Sequence, residues 1–465
     1  MALSTLQLAV FWLETAVQGG VVMAAVFALL LALGILRGRK RPDATGGVKD
    51  AASALGSSAA IAFVHPDLGI GGAERLVVDA AVGLQSKGHT VVMYTSHHDA
   101  SHAFVETTDG TLTVKVYGDF LPRTIFGRGH ILCATLRGVY LALVLALMEP
   151  QFDLFLVDQL SAPNPILFLT GAKILFYCHF PDLKLSGARS WLKALYRGPF
   201  DWLEEWTTLL AHRILVNSHF TAKVFQETFK SAHSAPAVLY PCINLEAFDK
   251  SAQDAASQGD VDADLASALE TRTCFVSINR FERKKDVGLA LRAFAVVLEG
   301  LPREEAPGLR LILAGGYDPR VRENREYRLE LDALATELGV SAQVIFKQSF
   351  SDAERGALLG KAVAVVYTPV NEHFGIVPIE AMYSRRPVIA CNSGGPTESI
   401  LDGVTGFLCE PEAEAFAGAM RRLLDDRPAA ARMGEAGRER VRATFSLSAF
   451  AARLDAVIRL TLAEM

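Results

Sequence analysis

Short apolar runs alternate along this chain with stretches whose apolar residues recur every three or four positions. IAFV at 61–64 ends at a glycine-rich turn, and after it Leu76, Val77, Ala80, Ala81 and Leu84 keep helical spacing. HTVVMYTS at 89–96 then returns to a β-branched strand pattern. Further strand-like runs follow at FDLFLVDQ (152–159), AKILFYCHF (172–180) and HRILVNSHF (212–220). A second series comprises CFVSINR (274–280), LRLILAGG (309–316), QVIFKQSF (343–350), AVAVVYTP (362–369) and RPVIACNS (386–393). Strands alternating with helices predict two parallel, doubly wound sheets in succession, each with its chemistry at the carboxyl ends of its strands and a cleft between the domains.

The segment between the series, DKSAQDAASQGDVDADLASALE (249–270), is small, acidic and unperiodic, and reads as a linker or insertion. SAFAARLDAVIRLTLAEM (448–465) reads as a closing helix. At the other end, residues 19–36 carry no charge and RGRKR follows at once. Eighteen residues of helix span about 27 Å, enough for a thin bilayer. No Lys or Arg precedes residue 37, so the charge pattern is that of an anchor with its C-terminal side in the cytosol. The organisation expected is an anchor at 1–40, a flexible tether at 41–60, one domain at 61–248, the linker at 249–270 and a second domain at 271–445. ILCATLRGVYLALVLALM (131–148) and WLKALYRGPFDWLEEW (191–206) read either as buried helices or as surfaces lying in a bilayer.

Composition narrows the classes. A chain of 465 residues suits two α/β domains. A net charge of −5 gives no basis for nucleic acid as a partner. The six cysteines are scattered with no Cys-x-x-Cys pair, which suits a reducing compartment.

Candidate chemistry concentrates at the strand ends of the second series. After CFVS the chain presents Arg280, Arg283, Lys284 and Lys285, cations able to hold a diphosphate, though a solvated charge run looks the same. After AVAVVYTP come Asn371, Glu372 and His373, with a helix expected from near Gly375; unpaired amides in its first turn form an anion site. Glu380 lies about 8–12 Å further along that helix, a spacing that suits a ligand with two polar ends. Capping for Glu372 and a surface position for Glu380 are the plain alternatives. The turn CNSGGPTES places Thr397 and Glu398 at another helix start. Two apparent metal motifs are set aside: DVDAD at 260–264 lies in the unperiodic segment, and His97, His98 and His102 fall in a loop after a strand. His65, just after IAFV, reads as either a cleft residue or a structural one.

In these motifs the chain resembles retaining glycosyltransferase family 4, which has the GT-B fold. GGAER (71–75), YCHFPD (177–182), NRFERKKD (279–286), NEHFGIVPIEAM (371–382) and NSGGPTES (392–399) stand in that family's order, over roughly residues 61–460. They are most similar to the branch that extends lipid-linked oligosaccharides at the endoplasmic reticulum. The resemblance implies a mannosyltransferase using GDP-mannose as donor and a dolichyl-diphosphate-linked GlcNAc2-Man acceptor, with α-1,3 and then α-1,6 transfer and no metal cofactor. It implies a membrane setting beside other transferases of the pathway, and a C-terminal helix at 446–465 packing back on the first domain. By the same resemblance Arg280 and Lys285 grip the donor diphosphate, and Glu372 contacts the sugar. His373, Phe374, Gly375 and Ile376 meet sugar and phosphate, and Glu380 binds the ribose. Gly71 and Gly72 let a loop approach phosphates or acceptor, and His179 sits beside the reacting sugar. One departure is Asp286, where the family often has glycine. The rival readings are another family 4 transferase with a different nucleotide sugar or lipid, and a GT-B sugar-nucleotide epimerase.

Overall fold

The computed structural model describes residues 58–125, 129–149, 151–181, 191–250, 261–271, 273–302, 304 and 308–464, with the side chains of 191–197, 199, 264 and 271 left aside. The apolar run at 19–36 and most of the expected tether lie outside the described residues. Two compact units result: residues through 217, 221–239 and from 451 onward in the first, and 218–220 with 240–450 in the second.

The first unit holds β1 (Ala60–His65), β2 (Thr90–Thr95), β3 (Thr113–Val116), β4 (Leu154–Asp158), β5 (Lys173–Cys178), β6 (Arg213–Val216) and β7 (Ala237–Val238). All pair in parallel, in the order β3-β2-β1-β4-β5-β6-β7, so the winding direction reverses between β1 and β4. The helices of this half of the chain are α1 (Gly72–Ser86), α2 (His130–Leu147), α3 (Asn164–Leu169), α4 (Trp191–Leu209) and α5 (His219–Thr228). Strands β4 and β5 are almost wholly buried, as continuous apolar runs covered on both faces should be. The expected apolar stripe of α1 is buried at all five positions.

Helix α2 settles part of the ambiguity at 131–148. Leu141, Ala142 and Leu145 pack into the core, and buried Arg137 donates from Nη2 to the Ser96 carbonyl at 2.7 Å. Leu132, Leu136 and Leu143 are half-buried, while Leu147 and Met148 at its end stay exposed. On α4, Trp202 and Trp206 stack on each other 6.0 Å apart and are both exposed.

The second unit holds β8 (Thr273–Ile278), β9 (Leu309–Gly315), β10 (Val344–Gln348), β11 (Ala364–Tyr367), β12 (Val388–Cys391) and β13 (Gly406–Cys409), in the order β10-β9-β8-β11-β12-β13. Its helices are α6 (Ala263–Thr271), α7 (Val287–Glu299), α8 (Arg322–Glu337), α9 (Asp352–Lys361), α10 (Ile376–Tyr383), α11 (Pro396–Ser399), α12 (Ala413–Asp425) and α13 (Arg427–Thr444). Side chains alternate across the sheet with period two. Phe275, Leu311 and Leu313 join one core with Phe294 and Phe416, and Val276 and Ile312 join the other with Ile379 and Met382.

The unperiodic reading of 249–270 fails over its last third. Asp262 accepts from the Leu265 amide at 3.1 Å, capping α6, and Leu265 and Leu269 are buried in the second unit's core. An acidic residue ahead of a short two-leucine stripe is a helix cap. The closing helix α14 runs Leu447–Ala463, and from residue 451 it belongs to the first unit, where Asp455 meets His89 at 2.7 Å. None of the six cysteines is in a disulfide, and all are buried. Burial pushes the Cys391 thiol up to about 12 and those of Cys274 and Cys409 to about 11.

Candidate active site

In the second unit the chain leaves β8 in the order Asn279, Arg280, Phe281, Glu282, and closes a short turn at Arg283–Lys285. The four basic residues divide. Arg283 is tied to α8 through Glu326 at 3.4 Å and Glu330 at 2.5 Å, so it serves the fold. Lys284 reaches Glu282 at 3.1 Å from an exposed position. Arg280 extends into solvent, 70% exposed, with Glu282 no nearer than 3.8 Å. Lys285 alone turns inward and pairs with the Glu372 carboxylate.

Thr368 holds that lysine in place. Fully buried directly after β11, it donates from Oγ1 to the Lys285 carbonyl at 2.7 Å. The following residue, Asp286, takes φ of 40°, the left-handed region where glycine is at ease. The turn expected from the family motif therefore forms with Asp286, whose carboxylate accepts from Arg292 at 3.2 Å. Asp286→Gly removes about 1 kcal/mol of backbone strain and gives up a half-exposed ion pair of about half that worth. We expect the melting temperature to rise by about 1–2 °C with kcat unchanged, checked by a thermal melt and a rate assay.

Burial would raise the Glu372 carboxyl, but the Lys285 ammonium beside it holds it below the ordinary carboxylate range. Burial and the Glu372 charge push the Tyr367 hydroxyl well up, so it remains a neutral donor. The loop carrying Glu372 rests on the neighbouring glycine turn. Gly395 donates its amide to the Glu372 carbonyl at 2.8 Å, and Asn371 donates its amide to Ser393 Oγ at 3.0 Å. Phe374 is buried between Tyr240 and Phe445, 5.9 Å from each ring centroid. The His373 carbonyl accepts from Ser218 Oγ at 2.6 Å.

Helix α10 starts after Gly375, where no side chain caps its first amides, and Ile376 is partly exposed there. Glu372 is thus a partner of Lys285 and no cap. Glu380 is no surface residue: it is 8% exposed and accepts from Arg355 Nη1 at 2.9 Å. Burial nevertheless keeps its carboxyl above the ordinary range. Arg355 and Thr368 escaped sequence reasoning, because a lone arginine inside a helix and a threonine after a strand carry no spacing signal. Glu398 caps the start of α5 and not that of its own helix. Its carboxylate accepts from the amides of His219 at 2.8 Å and Phe220 at 2.9 Å, both of the second unit.

The first unit gathers a separate group on the carboxyl edge of its sheet. His65 ends β1, Asp158 ends β4 and His179 follows β5. His65 Nδ1 lies 2.9 Å from Asp158 Oδ2, and His179 Nε2 lies 2.8 Å from Asp158 Oδ1. Gly71 caps α1 without a side chain, and nothing stands within 4 Å of where a Gly72 side chain would begin. His97 meets Asp119 at 2.7 Å and His98 meets Thr107 at 3.0 Å, which accounts for both as local structure.

Comparison with known proteins covers both units. Residues 70–247 match the family model described as Glycosyltransferase Family 4, and residues 265–440 match Glycosyl transferases group 1. The chain is 50% identical over 420 residues to the alpha-1,3/1,6-mannosyltransferase ALG2 of Rhizomucor pusillus, covering 86% of this chain and 91% of that one. It is 48% identical over 400 residues to the Homo sapiens enzyme of the same name, covering 85% and 94%. Among solved structures it resembles sucrose-phosphate synthase from Thermosynechococcus elongatus, with a TM-score of 0.67 at 22% identity over 88% of this chain and 100% of that one. It also resembles Anabaena HepE in complex with UDP and glucose, with a TM-score of 0.63 at 17% identity over 86% and 99%. These two likenesses establish the GT-B fold.

Proposed function

The chain belongs to glycosyltransferase family 4 and, within it, to the alpha-1,3/1,6-mannosyltransferases, and on that footing we propose that it moves mannose from GDP-mannose to a dolichyl-diphosphate-linked GlcNAc2-Man acceptor, first in α-1,3 and then in α-1,6 linkage. The observation that carries the donor side of this reading is the Lys285–Glu372 pair beside the uncapped start of α10. Breaking the bond between sugar and diphosphate leaves negative charge on the departing nucleotide. A fixed ammonium, the exposed Arg280 guanidinium and the first amides of α10 are donors suited to that charge, and one such preorganised donor is worth about 3 kcal/mol. They supply the counter-charge that a divalent ion supplies elsewhere, so the reading requires no metal.

Glu372 then serves the sugar. Its lowered proton affinity keeps it an acceptor for sugar hydroxyls, and its bond to Lys285 couples sugar position to diphosphate position. Glu380, turned by Arg355, is assigned to the ribose hydroxyls. Retention of configuration follows from attack on the face the diphosphate leaves, with a departing phosphate oxygen taking the acceptor's proton. In the first unit, His179 is assigned to the reacting sugar and the Gly71–Gly72 turn to the acceptor or the phosphates. GDP as the nucleotide enters on the grounds of the family.

The apolar run at 19–36 supports an anchor in the endoplasmic-reticulum membrane with both units on the cytosolic side. The exposed Trp202–Trp206 pair and the exposed end of α2 support a second, shallower contact, since indoles settle at the headgroup level. A polyprenyl tail cannot leave the bilayer, so its enzyme must come to it.

The test is mass spectrometry of the purified full-length protein incubated with GDP-mannose and a phytanyl- or dolichyl-linked GlcNAc2-Man acceptor. Two added hexoses are expected. Transfer from UDP-sugars and none from GDP-mannose would overturn the donor, and release of free sugar without acceptor would indicate an epimerase.

A further inference from the structure

Asp158 is the point at which two histidines meet. It ends β4, which lies between β1 and β5, and the register sets Val64 beside Val157 and Asp158 beside Tyr177. The three strand ends carrying His65, Asp158 and His179 therefore adjoin at the place where the sheet reverses its winding, the usual site of ligands in such sheets. Asp158 is 1% exposed, and both of its oxygens are engaged by imidazoles. Burial would raise its carboxyl, but His179, by its charge and hydrogen bond, and the hydrogen bond from His65 bring it down to about 2.

His65 is equally buried. Its Nδ1 faces Asp158, while its Nε2 has no hydrogen-bond partner and stands 3.6 Å from the Glu74 carboxylate of α1. Burial would lower its pKa, yet the hydrogen bond to Asp158 and the nearby charges of Asp158 and Glu74 raise it to about 9. His65 is thus a cation that lets Asp158 stay ionised out of water. His179 is the member that reaches outward, 24% exposed. Its ring packs tilted on Tyr177 at 4.9 Å, and its carbonyl accepts from Asn217 Nδ2 at 3.0 Å. Among the described residues Asp158 is the ionised group bonded to its ring.

We propose that His65 and Asp158 are positioning residues for His179: the buried imidazolium–carboxylate pair fixes a proton on His179 Nε2 and so presents Nδ1 to a hydroxyl of the sugar. This rests on the assignment of His179 to the sugar made above. An ionised carboxylate only accepts, so the nitrogen facing it must carry hydrogen. An amide in its place can also donate, which permits the other tautomer and leaves the outward Nδ1 carrying the hydrogen in place of its lone pair.

The experiment uses the full-length enzyme and the lipid-linked acceptor assay with five variants: Asp158→Asn, His65→Gln, His179→Ala, Asp158→Asn/His179→Ala and His65→Gln/His179→Ala. Asp158→Asn is expected to lower kcat by about 10²-fold while KM for GDP-mannose changes less than about threefold. In the His179→Ala background the same substitution should change kcat less than about twofold, because its effect passes through the histidine. An equal loss in both backgrounds would overturn the proposal, as would near-normal kcat in Asp158→Asn. Should Asp158→Asn not fold, His65→Gln decides in the same way, alone and combined with His179→Ala. Loss of the wild-type alkaline limb of kcat near pH 9 is its expected signature, and an unchanged limb would count against the pair. Near-normal transfer by His179→Ala would instead remove the histidine's own assignment, and absence of mannose transfer in the wild type would remove the function itself.

Discussion

Lys285→Ala loses transfer by about 10³-fold in kcat while the protein still folds. Of the four cations at 280–285 this ammonium is the one turned inward, and a single preorganised donor to a developing oxyanion is worth about 10²–10³ in rate. Losing the grip on both Glu372 and the diphosphate puts the effect at the upper end. The stability change has its own sign. In the wild type, Lys285 depresses the Glu372 carboxyl, so that pair contributes stability above the ordinary carboxylate value and loses it as pH falls through the lowered one. In the variant burial is opposed by the weaker influence of His373 and Lys284, so the folded carboxyl rises above its unfolded value, and acidification from pH 7 toward 5 should raise the variant's melting temperature relative to wild type. Paired thermal melts at the two pH values check this. Near-normal kcat, or a melting difference that does not change between them, would show that Lys285 does not govern Glu372.

Gly395→Ala has the larger structural effect. A side chain at 395 would begin 2.7 Å from the Phe374 carbonyl carbon and nearer still to the Cα and oxygen of that residue, all backbone atoms that cannot turn aside. The backbone at 395 is ordinary, with φ of −56°, so the conflict is one of space alone. Accommodating the methyl must push the 371–375 loop off the glycine turn, costing about 3 kcal/mol and displacing Glu372 from Lys285. We expect a melting temperature lower by about 8 °C and kcat reduced at least tenfold. Gly418→Ala is the control: it lies inside α12 with open space around it and should stabilise by about 0.5–1 kcal/mol. A melt for Gly395→Ala as high as that of the control would refute the contact.

Much of this was legible beforehand, and where it was not the physics says why. Long buried strands such as β4 and β5 announce themselves as continuous apolar runs. Strands β3, β7 and β13 do not: β3 and β7 are short sheet-edge strands, and Thr113–Val116 alternates weakly with half-exposed side chains. At the site, Lys285, Glu372, Glu380 and the start of α10 could be read because a motif spaces them along the chain. Their partners could not, since Thr368 lies 83 residues from Lys285 and Arg355 lies 25 from Glu380. His65 and Asp158, 93 residues apart, belong to the same class. Only the sheet order places them side by side. The charge run at 280–285 shows the converse limit, since four cations that look alike in sequence have different duties once Arg283 folds back on α8.

The sealed cysteines carry a practical corollary. With every cysteine thiol buried and several held firmly protonated, a thiolate-seeking reagent finds no ready target on the folded protein. A single cysteine engineered onto an outer surface would therefore be the one position to accept a fluorophore or spin label, without first stripping the chain of its own.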